Sequence, residues 1–141
     1  MEQTQKTNIT ITAFVNAPIE KVWLMWITPE HIINWNAASD DWHTTAAKND
    51  LKVGGKCNYR MEAKDGSMGF DFTGTYTKVK EREVIDYVLD DGRTVSVLFE
   101  STDGGVNITE TFEAENTNSI DLQKAGWQAI LNNFKSYIEQ N

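Results

Sequence analysis

From Lys56 to Ala114 apolar and polar residues take turns almost without a break, and a period of two over that length commits the chain to an antiparallel sheet. Cys57, Tyr59, Met61 and Ala63 alternate with Asn58, Arg60 and Glu62. After the turn "KDGS", Met68, Phe70, Phe72, Gly74 and Tyr76 alternate with Gly69, Asp71, Thr73, Thr75 and Thr77. Ile85, Tyr87 and Leu89 carry the pattern to "DDGR", Val95, Val97 and Phe99 carry it to "TDGG", and Val106, Ile108, Phe112 and Ala114 complete it. Short alternating runs joined by glycine-containing turns are successive hairpins, so the segment is a twisted meander. Its threonines and acids let one face meet water, but the aromatic face has to be covered.

The cover is the carboxy-terminal segment. Asn118 or Ser119 suits an N-cap, Asp121 favours the positive helix end, and Leu122, Ala125, Gly126, Ala129, Ile130, Phe134, Tyr137 and Ile138 recur at helical spacing. Trp127 and Leu131 widen the apolar arc beyond the ~100° stripe of a surface helix, which predicts a sheet wrapped around it. Ahead of the meander, Ile9, Ile11 and Ala13 alternate with Thr10 and Thr12 as a half-buried strand that ends at Asn16 or Ala17. Pro18 opens a short helix carrying Ile19, Val22, Trp23, Trp26 and Ile27, and Thr28-Pro29-Glu30 opens a second with Ile32, Ile33 and Trp35. At 141 residues one domain, spanning 1–141, accounts for the chain.

This order of elements, with "APIEKVWLMWITPEHIINW" near the start and "GWQAILNNFKSYIE" at the end, resembles the START-like (SRPBCC) superfamily, and within it the single-domain relatives of the activator of Hsp90 ATPase. Ala17, Pro18, Val22, Trp23, Trp26, Thr28, Pro29, Glu30, His31 and Trp35 match the family's amino-terminal pattern, with Ile27 between Trp26 and Thr28 at a variable position. Gly126, Trp127, Leu131 and Phe134 match the terminal one. The resemblance covers nearly the whole chain and implies an α+β helix-grip fold, a curved antiparallel sheet of about six or seven strands holding the long helix. It also implies a cavity between them that in many relatives takes an apolar small molecule. The co-chaperone that lends the family its name carries a further amino-terminal domain for its partner, for which this chain has no room. A chaperone partner is therefore a weaker implication than a small apolar or aromatic ligand.

On that fold the inward aromatic residues Tyr59, Phe72, Tyr87 and Phe99, with Trp127 from the helix, are expected to line the cavity. The stretch "NWNAASDDWHTT", Asn34 to Thr45, has neither helical nor strand periodicity and lies where a lid would be. As a lid it offers Trp35 and Trp42 as apolar walls and His43, with Asp40 or Asp41, as polar contacts. As plain structure, its tryptophans are core and its Asp pair a solvated turn. His31 reads as a surface residue on a polar helix face.

Strand parity singles out Glu110. Counting by two from Val106 through Ile108 to Phe112 places it on the face that grips the helix. An inward carboxylate needs a donor, a water or a ligand, because burying it unpaired costs several kcal/mol or forces protonation. Helical spacing puts Asn133 on the inward arc between Gly126 and Tyr137, with Gln123 near the first turn, so both amides are expected beside it. The alternatives are a strand end facing water, or a network with the Tyr59, Tyr76 or Tyr87 hydroxyls.

Other chemistries find no support in the residue pattern. A net charge of −8 opposes nucleic acid, and no apolar run approaches the ~18 residues of a membrane helix. Two histidines and a lone Cys57 show no metal-ligand spacing, no "GxSxG" marks a nucleophile, and the "GG" pairs at Gly54 and Gly104 are turns, so no metal and no cofactor is assigned. The polar start "MEQTQKTN" lacks the apolar core of an export signal and the single cysteine fits a reducing compartment, so a cytoplasmic location is expected. Three functions are carried forward: a non-enzymatic binder of a small apolar or aromatic molecule, which leads; a cavity enzyme of polyketide cyclase type using Glu110; and a chaperone-associated interaction module.

Overall fold

The computed structural model describes residues 7–140, so the polar start "MEQTQK" and Asn141 lie outside the described residues. Along the chain run β1 (Asn8–Val15), α1 (Ile19–Ile27), α2 (Pro29–Trp35), β2 (Trp42–Asn49), β3 (Lys56–Ala63), β4 (Gly69–Lys80), β5 (Val84–Leu89), β6 (Thr94–Thr102), β7 (Gly105–Glu113) and α3 (Ile120–Gln140). The strands form one seven-stranded sheet in the order β1-β7-β6-β5-β4-β3-β2, every neighbouring pair antiparallel. This is the expected helix-grip fold, with β1 carried round to pair with β7 and α3 laid across the inner face. No described helix is long and apolar enough to cross a membrane.

The alternation read from the sequence becomes the two faces of the sheet. Ile9, Ile11 and Val15 of β1, Cys57 and Met61 of β3, Val95, Val97 and Phe99 of β6, and Val106, Ile108 and Phe112 of β7 are buried, while their neighbours in sequence are less so or lie outside. Gly66 and Gly92 hold the hairpin turns at φ of 79° and 92°, a region where a Cβ is strained. In β4 the register with β5 skips Thr77, a bulge that lets both Tyr76 and Val79 pack on the core and sharpens the local twist.

The stretch from Asn34 to Thr45 is divided among the end of α2, a short link and the start of β2 rather than forming one loop. Trp42 begins β2, an edge strand hydrogen-bonded to β3 alone, and only residues 36–41 link α2 to the sheet. That link is tied down: the buried Asn36 donates through Nδ2 to Thr44 Oγ1 at 3.1 Å, and the same hydroxyl donates back to the Asn36 carbonyl at 2.6 Å. Asn49 Nδ2, at the other end of β2, donates to the Ile27 carbonyl at 2.7 Å. Side-chain bonds to the two short helices thus replace the ladder that an edge strand lacks on its outer side.

α3 starts at Ser119, whose Oγ accepts the Leu122 amide at 3.1 Å as an N-cap. Polar contacts pin both flanks. Towards β1, Gln128 Nε2 and Lys135 Nζ donate to the Thr12 and Phe14 carbonyls at 3.1 and 2.7 Å, and Glu139 accepts the Asn16 amide at 2.9 Å. Towards α2, Tyr137 Oη meets His31 Nδ1 at 2.7 Å, so His31 is a docking residue rather than a free surface group. Between the flanks, Leu131, Phe134 and Ile138 are fully enclosed, whereas Leu122 and Ala125, expected on the inward arc, are exposed.

Phe134 packs edge-on against Trp26 and Trp35, each with its ring centroid 4.9 Å away, and Trp26 in turn meets Phe99 at 5.5 Å. Trp127, one helical arm away, stacks on Phe112 at 3.9 Å but remains partly accessible. Replacing Phe134 by Ala is expected to destabilise the protein by about 3–5 kcal/mol, since it opens a cavity in a closed cluster. Trp127→Ala is expected to lose less, roughly 2–3 kcal/mol, because it forfeits a ring stack but only enlarges existing space. Denaturant titration of both variants checks this, and an equal or greater loss at Trp127 would show that it belongs to the packed core.

Candidate functional site

Where α3 leaves the aromatic cluster towards its amino end, helix and sheet do not close on each other. A cavity of about 320 Å³ lies between them, within the range of small-molecule sites. Its floor is buried: Cys57 of β3, Tyr76 of β4, Ile85 of β5, Glu110 of β7 and Leu131 of α3. Tyr59, Phe72, Tyr87, Trp127 and Ile130 form the walls, and Phe72 bridges two of them, parallel to Tyr59 and edge-on to Trp127 at ring distances of 6.0 and 6.1 Å. Phe70, Leu122 and Asn118, all exposed, mark the rim, together with Arg93, Glu115 and Gln123.

Two glycines shape this space. A Cβ on Gly74 would come within 2.8 Å of the Tyr87 ring, so the absence of a side chain on β4 is what allows that ring to lie against the strand. On α3, a Cβ on Gly126 would meet nothing within 4 Å although the residue lines the cavity. Glycine within a helix is less stable than alanine by up to ~1 kcal/mol, so Gly126 keeps space at the expense of helix stability.

Glu110 lies as strand parity required, on the gripping face between Ile108 and Phe112, opposite Ile11 in β1 and Val97 in β6. It is 6% exposed and has no hydrogen-bond donor among the described residues. Burial alone pushes its carboxyl up to about 8. The surrounding hydroxyls and thiol are held neutral by the same cause: burial raises Tyr59, Tyr76, Tyr87 and Cys57, and the charge of Glu110 raises Tyr87 further.

The amides expected beside Glu110 are elsewhere. Asn133 is exposed and donates to the Ala37 carbonyl, because the stripe running through Gly126, Asn133 and Tyr137 turns towards α2 at its carboxy-terminal end. Gln123 is buried but committed to the chain entering α3, accepting the Glu115 amide at 2.8 Å and donating to the Asn118 and Glu115 carbonyls at 2.8 and 3.2 Å. The alternative, tyrosine hydroxyls paired with Glu110, is not found among the described residues: Tyr76 Oη donates to Asn49 Oδ1, and Tyr59 and Tyr76 interact with each other and with Cys57.

Of the other sequence candidates, Trp35, Tyr59, Phe72, Tyr87 and Trp127 line the cavity; Phe99, Trp42 and His43 do not. Phe99, on a strand that runs between β5 and β7, sits at another height along the sheet, in the aromatic cluster with Trp23 and Trp26. Trp42 lies beyond the rim against Phe70, at 5.9 Å, and His43 is paired across the strands with Glu62, on the outer face. Cys57, Met61, Tyr76 and Ile85 shared the inward parity of the named aromatics but were not singled out as site residues, and Trp26, on α1, and Arg93, in the turn "DDGR", lie outside strand parity altogether. The interior glycine of "KAGWQA" was the signal for Gly126.

The model of the activator of Hsp90 ATPase homolog 1-like proteins matches residues 16–139. The chain belongs to this family. A solution structure of the AHSA1-like protein from Aeromonas hydrophila is 51% identical and covers 95% of this chain and 93% of its own, with a TM-score of 0.90. A Cytophaga hutchinsonii protein solved in solution is 52% identical over the same shares, with a TM-score of 0.82. A Chromobacterium violaceum protein, 18% identical over 95% of this chain and 98% of its own with a TM-score of 0.84, shares the fold. No curated protein matches the chain significantly.

Within this family member, Glu110 couples the cavity to stability. The unfolded chain releases the Glu110 proton near its ordinary value of 4.5, whereas the fold holds it until about 8. Between those pH values the folded state binds the proton more tightly, so the Glu110 contribution to stability falls as pH rises from about 4.5 and levels off above about 8. Over that window the penalty reaches roughly 4–5 kcal/mol. Glu110→Gln is therefore expected to be close to neutral at pH 4 and increasingly stabilising up to pH 8.5, in urea titrations at several pH values. A variant destabilised at pH 8.5 would mean that the carboxylate has a stabilising partner.

Proposed function

We propose that the protein binds a small apolar or aromatic molecule in the cavity between the sheet and α3, without turning it over. The observation that carries this reading is the space kept open by Gly126. Apolar walls that could close on each other stay apart around about 320 Å³, at a helix position where an alanine methyl would meet no atom and would favour the helix. An interaction module working through its outer surface has no use for such a space, so the chaperone reading draws on the family's name rather than on this geometry. An enzyme of polyketide cyclase type would use Glu110 as a proton-transfer group. Among the described residues none is hydrogen-bonded to Glu110 to relay its proton, which favours binding over catalysis.

Gly126 also provides the test. Gly126→Ala is expected to raise stability by about 0.5–1 kcal/mol and to keep binding of the neutral fluorescent probe N-phenyl-1-naphthylamine. Gly126→Phe, which projects into the cavity, is expected to stay folded by circular dichroism and to weaken that probe at least ~10-fold. Full binding by a folded Gly126→Phe protein would place the probe elsewhere and remove the cavity as the site. Native mass spectrometry of the protein purified from its own host is expected to show a retained small molecule that the Phe variant lacks.

A further inference from the structure

With the cavity taken as the binding site proposed above, the chemistry of its floor narrows what can occupy it. Glu110 is bounded by hydrocarbon along its own strand, Ile108 and Phe112, and across the sheet, Ile11 and Val97. From the other elements it is faced by Tyr59 and Cys57 of β3, Tyr76 of β4 and Tyr87 of β5, all kept neutral by burial. The helical side brings Trp127, Ile130 and Leu131 and no charge. Charges reach only the rim. Arg93 is held by Asp91 at 2.7 Å, and Glu115 lies beyond the end of β7.

A carboxyl in such a setting is a neutral acid at pH 7, with one strong O–H donor. No described residue takes that hydrogen bond, and the open space beside the group is the cavity itself. A pure hydrocarbon would leave the donor unpaired in a dry site, which carries the full desolvation penalty. A cationic ligand would have to be desolvated against a single carboxylate with no second anionic acceptor beside it to complete its shell, a poor exchange for two ions. An anion would meet the acid and, on ionisation, a like charge.

We propose that the cavity takes a neutral aromatic molecule bearing a carbonyl oxygen, and that the Glu110 carboxylic acid donates a hydrogen bond to that oxygen. The same group makes binding pH-dependent. Once Glu110 ionises, the donor becomes an acceptor facing another acceptor, and the carbonyl ligand is expelled in favour of water.

Two isosteric probes test this: 2-acetonaphthone, and 2-isopropenylnaphthalene, in which CH₂ replaces the oxygen. At pH 6.5 the wild-type protein is expected to bind the ketone about 10-fold more tightly than the alkene, and the preference is expected to fall about 10-fold per pH unit once Glu110 has lost its proton. The ¹³C shift of the Glu110 carboxyl, followed by NMR in the free protein, locates that point independently of any ligand. Glu110→Gln keeps a donor and is expected to retain a preference that no longer varies with pH; Glu110→Leu is expected to bind both probes alike. Equal binding of ketone and alkene to the wild type, tighter binding of 1-(2-naphthyl)ethylamine than of the ketone, or titration of Glu110 in the ordinary carboxylate range would each overturn this inference alone. Failure of both probes to bind would overturn the cavity reading and this inference with it.

Discussion

Trp23, Trp26, Trp35, Phe99 and Phe134 meet in one cluster of edge-on and tilted rings, and each layer of the molecule sends a residue into it. α1 and α2 contribute the tryptophans, β6 contributes Phe99 and α3 contributes Phe134. Rings 4.9 to 5.5 Å apart are rigid spacers, so the cluster sets how far the carboxy-terminal helix stands from the sheet. The polar bonds on either flank, to β1 and to α2, then fix its rotation. A rigid helix held at one height at one end keeps that height along its length. Where the sheet curves away and the helix offers Gly126 instead of a ring, the gap stays open. The cavity is thus a consequence of the clamp, and its walls do not have to hold the molecule together.

That separation explains how the fold tolerates Glu110. An unpaired buried carboxyl is among the more destabilising features a core can carry, and its effect grows with pH up to about 8. It lies in the middle of β7, a strand paired on both sides, where the ladder to β1 and β6 is uninterrupted. The backbone around it is therefore secured by main-chain bonds that do not depend on the side chain, and the strain is confined to the cavity face. A group retained against stability, in a place where a leucine would pack, points to the space it faces rather than to the fold.

Much of the architecture was legible because periodicity is a direct image of burial. The alternation from Lys56 to Ala114 marked the meander, the Thr28-Pro29 start marked α2, and the parity of Val106, Ile108 and Phe112 turned Glu110 inward. β2 was not legible, since "WHTTAAKN" is an edge strand with a bulge after Thr44, paired with β3 on one side and held on the other by Asn36 and Ile27 contacts that are invisible in sequence. The site was harder. Parity names the face a residue occupies but not its height along the grip, so Phe99 and Tyr87 read alike although one fills the clamp and the other walls the cavity. Asn133 failed for a related reason: a helical stripe is continuous in sequence, but its surroundings change from cavity at Gly126 to the α2 link at Asn133.

The same geometry limits what likeness of fold can say about ligands. The Chromobacterium violaceum protein shares this architecture at 18% identity, so the fold stands although most side chains differ. The cavity walls are drawn from alternate positions on four strands and one helical stripe, each replaceable without disturbing a main-chain bond. Volume is set at positions such as Gly126, where an added Cβ meets no atom, and polarity at positions such as Glu110, the one acid on the cavity floor. Two proteins with superposable backbones can therefore hold unrelated molecules. On such a frame the character of the cavity lies in those few inward positions, and comparison of relatives has to be made there, side chain by side chain.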